Sequence, residues 1–177
     1  AGSDVVLGFH EEKGDAIVDL AECPVLAPQI VTAFPGIHAL LAPLMPRDGE
    51  ARALATLTAT GLDIVAEGLT TKLSAGARAA LASAAAHMRL VRLALGRDVV
   101  YATGKPTVHF PPAEVILPEG AFLQAAPSAE TAMAGMIVAA VGKAKRVADL
   151  YCGCGTFTFA LVRKAAVLAV DSSADSI

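Results

Sequence analysis

Short apolar runs, separated by glycine, proline or charged residues, dominate the first part of the chain. Several alternate between apolar and polar positions, as residues 55–60 do, and this two-residue period is typical of β-strands. The runs that predict strands span residues 4–10, 16–20, 51–60, 63–67, 90–95, 99–103, 106–110 and 114–117. Most neighbouring runs are joined by short turns, so the sequence predicts a mainly antiparallel sheet.

Two stretches in this part of the chain show helical patterns instead. Residues 27–45 are largely apolar, and Pro35 should kink this helix or split it in two. Residues 77–88 are rich in alanine, and Ser74 is placed to cap their helix. Together with the strands, these helices predict an α+β central domain over residues 1–117.

The pattern changes after residue 118. A helix is predicted from Pro127 to about Lys143, followed by a strand at 147–151, a helix at 156–161 and a strand at 166–170. A strand, a crossover helix and a second strand form the unit of a parallel sheet. We therefore expect residues 118–177 to be the start of a Rossmann-like domain, and the fold class of the whole chain to be α/β.

The turn between these last two strands holds the candidate chemistry. Gly153 and Gly155 let a ligand approach the main chain closely, and the helix that follows presents free N–H groups to the turn. Asp171 ends the second strand about 20 positions after Asp149, where nucleotide-binding β-α-β units place the acid that holds ribose hydroxyls. The same pattern also occurs in a plain strand-turn-helix corner that binds nothing.

The choice of ligand follows from two details of the turn. A dinucleotide site would have a third glycine where Thr158 stands, and the turn adds no basic residue for a phosphate. An adenosine-type ligand without a pyrophosphate, such as S-adenosylmethionine, therefore fits better than a nicotinamide dinucleotide. An oxidoreductase fragment nevertheless stays an alternative at this point.

Three segments resemble the RNA 5-methyluridine (uracil-C5) methyltransferases. Residues 149–157, Asp-Leu-Tyr-Cys-Gly-Cys-Gly-Thr-Phe, are similar to the S-adenosylmethionine loop of that family, in which a cysteine precedes the first glycine. Residues 120–124, Gly-Ala-Phe-Leu-Gln, resemble its Phe-x-Gln segment. Residues 5–10 and 17–26 resemble the start of its central domain, so the similarity extends over nearly the whole chain in the right order.

The resemblance implies a cofactor site. The residues it assigns to S-adenosylmethionine are Gln124, Tyr151, Gly153, Gly155, Thr156 and Asp171. Thr156 stands where the family often has asparagine, Asp171 where it often has glutamate, and Ala126 where many members have asparagine.

Many members of the family also carry a four-cysteine iron–sulfur cluster, and Cys23 matches its fourth ligand. The resemblance therefore implies a 4Fe–4S cluster for a full-length protein only, since one thiolate cannot hold it.

The family reaction implies chemistry that this chain does not complete. In it, a cysteine thiolate adds to carbon 6 of a uracil, carbon 5 takes the methyl group, and a base removes the remaining proton. Neither Cys23, Cys152 nor Cys154 matches the position of that nucleophile, so no catalytic residue is assigned. We expect a fragment of an RNA methyltransferase acting on rRNA or tRNA, inactive by itself. The alternative from another class is a non-catalytic RNA-binding or structural module.

The amino-acid composition bears on how the chain would contact RNA and on its location. The chain has 177 residues, 55% of them hydrophobic, and a formal net charge of −3, which argues against a single broad basic surface for RNA. Three cysteines without framework spacing suit a reducing cytoplasm. No stretch predicts a membrane span or a signal peptide.

The two predicted parallel strands, 147–151 and 166–170, leave apolar surface open. This predicts partial disorder of about the last 50 residues of the chain, or pairing of the chain with a second copy.

Overall fold

The computed structural model describes residues 5–20, 22–124 and 126–173. The chain divides into two compact units, Ala1–Leu57 with Gly61–Gly104, and Thr58–Thr60 with Lys105–Ile177. This division places residues 105–117 with the second unit. The domain boundary predicted after residue 117 separates the central domain from the methyltransferase domain of the resembled family. It stays a prediction.

The first unit is built on a four-stranded sheet. Its elements are β1 (Gly8–His10), β2 (Ile17–Asp19), α1 (Pro28–Leu41), β3 (Arg52–Thr58, whose last residue is counted with the second unit), β4 (Gly61–Glu67), α2 (Ala75–His87), β5 (Leu90–Leu95) and β6 (Asp98–Ala102). The sheet order is β3-β4-β5-β6, and β1 pairs with β2 in a separate antiparallel hairpin. All six residues of β5 are buried, as expected for a central strand covered on both faces.

The strand directions confirm the predicted fold class and add one detail. β5 and β6 are antiparallel, whereas β4 and β5 are parallel, with α2 as the crossover between them. The Ser74 hydroxyl accepts a hydrogen bond from the Ala77 N–H at 3.2 Å and so caps α2, as predicted.

Helix α1 is continuous over 14 residues, so of the two predicted effects of Pro35 the split is wrong, whereas the kink stays a prediction. Proline has no N–H and removes one hydrogen bond from the helix. The helix nevertheless buries Ile37, Leu40 and Leu41 in the core of the first unit. Burying such side chains stabilises by about 1.5–3 kcal/mol each, which offsets the missing bond.

An ion pair lies inside the first unit's sheet. Asp63 in β4 and Arg92 in β5 face each other in the parallel register, and they are 4% and 6% exposed. The Arg92 guanidinium donates from Nε to Asp63 Oδ1 at 2.8 Å and from Nη2 to Asp63 Oδ2 at 2.7 Å. The pair is therefore bidentate and fixes the register of the two strands.

The second unit combines a hairpin with a β-α-β arrangement. Its elements are β7 (Thr107–Phe110), β8 (Ala113–Ile116), α3 (Pro127–Val141), β9 (Arg146–Leu150), α4 (Thr156–Leu161) and β10 (Ala166–Val170). β7 and β8 are antiparallel, and β9 and β10 are parallel with Leu150 opposite Val170. Phe110, Leu117 and Cys154 form its buried core, with the Phe159 ring stacked on Phe110 at 6.3 Å between centroids.

One face of the β9–β10 pair carries exposed apolar side chains, as the sequence predicts. Leu150 and Leu168 are 62% and 65% exposed, and Val170 is also exposed. Self-association through this face stays a prediction, as does disorder. Within residues 5–20, 22–124 and 126–173, no helix combines the length and apolarity that crossing a membrane requires.

Candidate functional site

The turn between β9 and α4 forms the centre of the candidate site. It lies at the carboxyl ends of both parallel strands, because the Tyr151 and Cys152 N–H groups donate to the Val170 carbonyl at 2.8 and 3.2 Å. Tyr151, Gly153 and Gly155 have φ angles of 62°, 52° and 87°. Such left-handed angles produce a sharp turn that glycine adopts without strain.

The two glycines have different roles. A Cβ atom on Gly153 would have no neighbour within 4 Å, so its surface is open to a ligand. A Cβ atom on Gly155 would lie 2.7 Å from Phe159 Cε2, which is a steric overlap. Gly153 thus fits the predicted close approach of a ligand, whereas Gly155 is required by internal packing and begins α4 as its N-cap.

Asp171, immediately after β10, holds the turn from the side of the second strand. Its Oδ2 atom accepts the Gly153 N–H at 2.8 Å, and its Oδ1 atom accepts the Ser173 N–H at 2.8 Å. The hydrogen bonds from Ser173 and Gly153 lower the pKa of Asp171 below its ordinary value. A carboxylate has about four acceptor positions, so this ionised group keeps capacity for ribose hydroxyls.

A cleft of about 480 Å³ opens beside this turn. It is lined by residues 118–124 and 151–154 together with Thr156, Phe157, Asp171 and Ser173. The structure therefore brings five of the six sequence-predicted residues, Gln124, Tyr151, Gly153, Thr156 and Asp171, to one cleft, whereas Gly155 is not among the lining residues. Its volume is in the range of small-molecule pockets, about 300–1,000 Å³.

The residues that line the cleft are either acidic or uncharged. Glu119 and Asp171 are acidic, and none of the lining residues named above is lysine, arginine or histidine. A pyrophosphate needs cations or a set of free N–H groups. One N–H of the turn, that of Gly153, already donates to Asp171. The cleft therefore favours an adenosine ligand that carries no phosphate.

The surroundings of both cysteines of the turn disfavour the thiolate form. Burial, followed by the charges of Asp149 and Asp171, raises the pKa of the Cys152 thiol. Burial, followed by Asp171 and Cys152, raises the pKa of the Cys154 thiol. Because the thiolate is the reactive form, both thiols are poorly suited to attack a carbon atom.

Cys23, the sequence-predicted metal ligand, is a half-buried free thiol. The described part of the chain contains no group of three or more His, Cys, Asp or Glu side chains that could hold a metal ion. The residues around Cys23 therefore do not fit an iron–sulfur cluster by themselves. Its role in a longer protein stays a prediction.

Sequence reasoning missed one interaction beneath the turn. The Thr158 hydroxyl donates to the Asp149 Oδ2 atom at 2.5 Å, which links α4 to β9. In the sequence, Thr158 is notable only as the position where a dinucleotide site would have a glycine. A hydroxyl one helical turn past the last glycine, together with a carboxylate near the end of the strand, is the signal that could have revealed the bond.

The chain is similar to proteins named as RNA methyltransferases. It is 44% identical to an uncharacterized RNA methyltransferase of Caulobacter vibrioides, over 99% of this chain and 43% of the relative. It is 39% identical to one of Brucella melitensis, over 98% of this chain and 41% of the relative. The chain thus spans less than half of the length of these relatives. No family model matches it.

A solved structure has the same fold. This is the Pyrococcus abyssi tRNA (uracil-54, C5)-methyltransferase in complex with S-adenosyl-L-homocysteine, with a TM-score of 0.65 and 15% sequence identity. The match covers 92% of this chain and 44% of that protein. These findings confirm the resemblance noted in the sequence: the chain is similar in sequence to proteins named RNA methyltransferases, and it shares its fold with a tRNA (uracil-54, C5)-methyltransferase.

Proposed function

We propose that this chain carries the S-adenosylmethionine-binding part of an RNA methyltransferase that modifies carbon 5 of a uridine in rRNA or tRNA. The observation that carries the proposal is the cleft beside the glycine turn, with the ionised Asp171 at its edge. The similarity to proteins named RNA methyltransferases supports the reaction class, and the absence of basic residues from the cleft lining supports a ligand without phosphates.

The residues of the cleft fit the proposed cofactor. The Asp171 carboxylate would accept both ribose hydroxyls, and the open Gly153 backbone would let the ligand lie against the turn. Gln124 and Thr156 offer an amide and a hydroxyl, and Tyr151 offers an exposed aromatic ring. When bound, S-adenosylmethionine supplies an electrophilic methyl group.

We expect the chain to bind the cofactor without completing the reaction. A uracil-C5 transfer requires a thiolate nucleophile, and the surroundings of Cys152 and Cys154 raise the pKa of both thiols. A cytoplasmic location and an RNA partner belong to the proposal for the longer protein.

Titration calorimetry with S-adenosylhomocysteine tests the proposed site. We expect saturable binding to the chain, and a loss of about tenfold or more in affinity for Asp171→Ala, because the variant lacks the charged acceptor of the ribose hydroxyls. Asp98→Ala, at an exposed carboxylate of the first unit, should bind as the parent chain does.

Two further ligands separate the alternatives in the same experiment. Binding of NAD in preference to S-adenosylhomocysteine would support the oxidoreductase alternative and overturn the proposal. Binding of a uridine-containing RNA by a chain that takes up neither nucleotide would support the non-catalytic module instead.

The pH dependence of the turn follows from Asp171. Because its pKa is lowered in the folded protein, its contribution is fully present above the ordinary aspartate pKa of about 3.9 and is lost as the pH falls through the lower folded value. We expect the Gly153 amide resonance to be constant from about pH 8 to pH 5 and to move only in stronger acid. Asp171→Asn should remove that movement, and a midpoint near neutral pH would contradict the assignment.

A further inference from the structure

The hydrogen bond between Asp149 and Thr158 crosses the base of the glycine turn. Asp149 is the last residue but one of β9, and Thr158 is the third residue of α4. The two side chains meet at 2.5 Å, and both residues are half-buried. Neither residue lines the cleft, so any effect on a ligand must pass through the turn between them.

The partner of Thr158 is unusual for a threonine in a helix. Helical threonines commonly donate to the carbonyl four residues earlier, as Thr131 in α3 does to Pro127 at 2.9 Å. Thr158 donates instead to a carboxylate on another element. A hydrogen bond to a charged acceptor is roughly twice as strong as one between neutral groups, so this contact is able to set the spacing of β9 and α4.

The position of Thr158 explains why its contact with Asp149 affects the packing of α4 on β9. In dinucleotide-binding folds this position is a glycine, which lets the helix pack closely on the strand. Here a side chain occupies that space and is tied to the strand. The turn is also closed by the Gly155 N–H on the Cys152 carbonyl at 2.9 Å and by Asp171 on Gly153. The Asp149–Thr158 bond joins the strand before this turn to the helix after it.

We propose that Thr158 is a positioning residue that fixes the cofactor turn through Asp149. It holds the ends of β9 and α4 at a set distance, and Gly153 and its neighbours then present their backbone to the cleft in one arrangement. The proposal rests on the proposed function for its effect on ligand binding, but its effect on the turn itself needs no ligand.

Three variants of the chain separate positioning from general stability. Thr158→Val keeps the shape of the side chain and removes the hydroxyl, whereas Thr158→Ser keeps the hydroxyl. Thr131→Val makes the same chemical change on α3, where the hydroxyl bonds within its own helix. Each variant is measured by amide hydrogen exchange without ligand and by calorimetric titration with S-adenosylhomocysteine.

We expect Thr158→Val to raise the exchange rates of the Gly153 and Gly155 amides about tenfold and to weaken S-adenosylhomocysteine binding about tenfold, which corresponds to about 1.4 kcal/mol. For Thr158→Ser, the exchange rates and the affinity should stay within about twofold of those of the parent chain, since the serine hydroxyl keeps the hydrogen bond to the Asp149 carboxylate. Thr131→Val should leave both quantities unchanged.

Each contrary result has a distinct meaning. Unchanged exchange in Thr158→Val, or a Thr158→Ser variant as defective as Thr158→Val, would overturn the positioning role. Faster exchange with unchanged affinity would overturn its effect on the ligand. A parent chain that does not bind S-adenosylhomocysteine would overturn the proposed function, and the exchange measurements alone would then decide whether Thr158 fixes the turn.

Discussion

Replacing Asp63 by alanine is expected to lower the free energy of unfolding of the first unit by about 3–5 kcal/mol, the cost of leaving one charge of a buried pair without its partner. The Arg92 guanidinium is 6% exposed and donates two hydrogen bonds to Asp63. Without the carboxylate, its charge stays in the interior of the sheet and loses the negative charge and the two hydrogen bonds that Asp63 supplies. Denaturant unfolding followed by circular dichroism measures the change.

A second ion pair in the same unit gives a matched control. Arg78 donates to both carboxylate oxygens of Asp98 at 2.7 and 2.6 Å, but both side chains are largely exposed. Exposed pairs contribute about 0–1 kcal/mol, so Asp98→Ala should change stability little. Equal losses in the two variants would show that burial does not determine the strength of these pairs.

The buried pair also allows a test by replacement of both partners. A double variant, Asp63→Leu with Arg92→Met, removes both charges and keeps apolar volume in the sheet. It should recover most of the stability that Asp63→Ala loses, because two apolar side chains avoid the desolvation of two ions. Failure to recover stability would show that the ion pair contributes more than the two apolar side chains that replace it.

Replacing Gly155 by alanine is expected to destabilise the second unit by about 2–5 kcal/mol. An L-residue at a left-handed φ angle costs about 1–2 kcal/mol, and overpacking costs about 1–3 kcal/mol more. Gly155 has a φ of 87°, and its added Cβ would lie 2.7 Å from the Phe159 ring, which stacks on Phe110. Thermal or denaturant unfolding measures the loss.

Gly153→Ala provides the comparison within the same turn. Gly153 also has a left-handed φ angle, 52°, but an added Cβ there would have no neighbour within 4 Å. Only the conformational cost of about 1–2 kcal/mol applies. A loss at Gly155 no larger than that at Gly153 would show that the Phe159 ring moves aside without cost.

The local elements of this protein follow closely from its sequence. The predicted strand at 166–170 and the predicted helix at 156–161 match β10 and α4 residue for residue, because the apolar runs are short and bounded by turn residues. Ser74 caps α2 as predicted for the same local reason. The helix through Pro35 is the exception, since burial in a core that the sequence does not display outweighs a lost backbone bond.

The residues of the candidate site could also be predicted from the sequence. Glycines at a strand-to-helix turn and an acid about 20 positions further on predict a nucleotide-type site, and the resemblance added Gln124 from a distant segment. Five of these residues lie on one cleft in the structure. The loop spacing is local information, which explains why a pattern was sufficient to find Gly153 and Asp171, whereas Gln124, Tyr151 and Thr156 came from the resemblance.

The sequence by itself determined the helices and strands, the glycine turn and the acid that faces it, because each depends on neighbouring residues and on a fixed period. The tertiary structure decided which residues meet: the buried pair of Asp63 and Arg92, the ring of Phe159 against Gly155, and the bond from Thr158 to Asp149. These contacts depend on the register of paired strands and on the packing of helices on them, which no local pattern encodes.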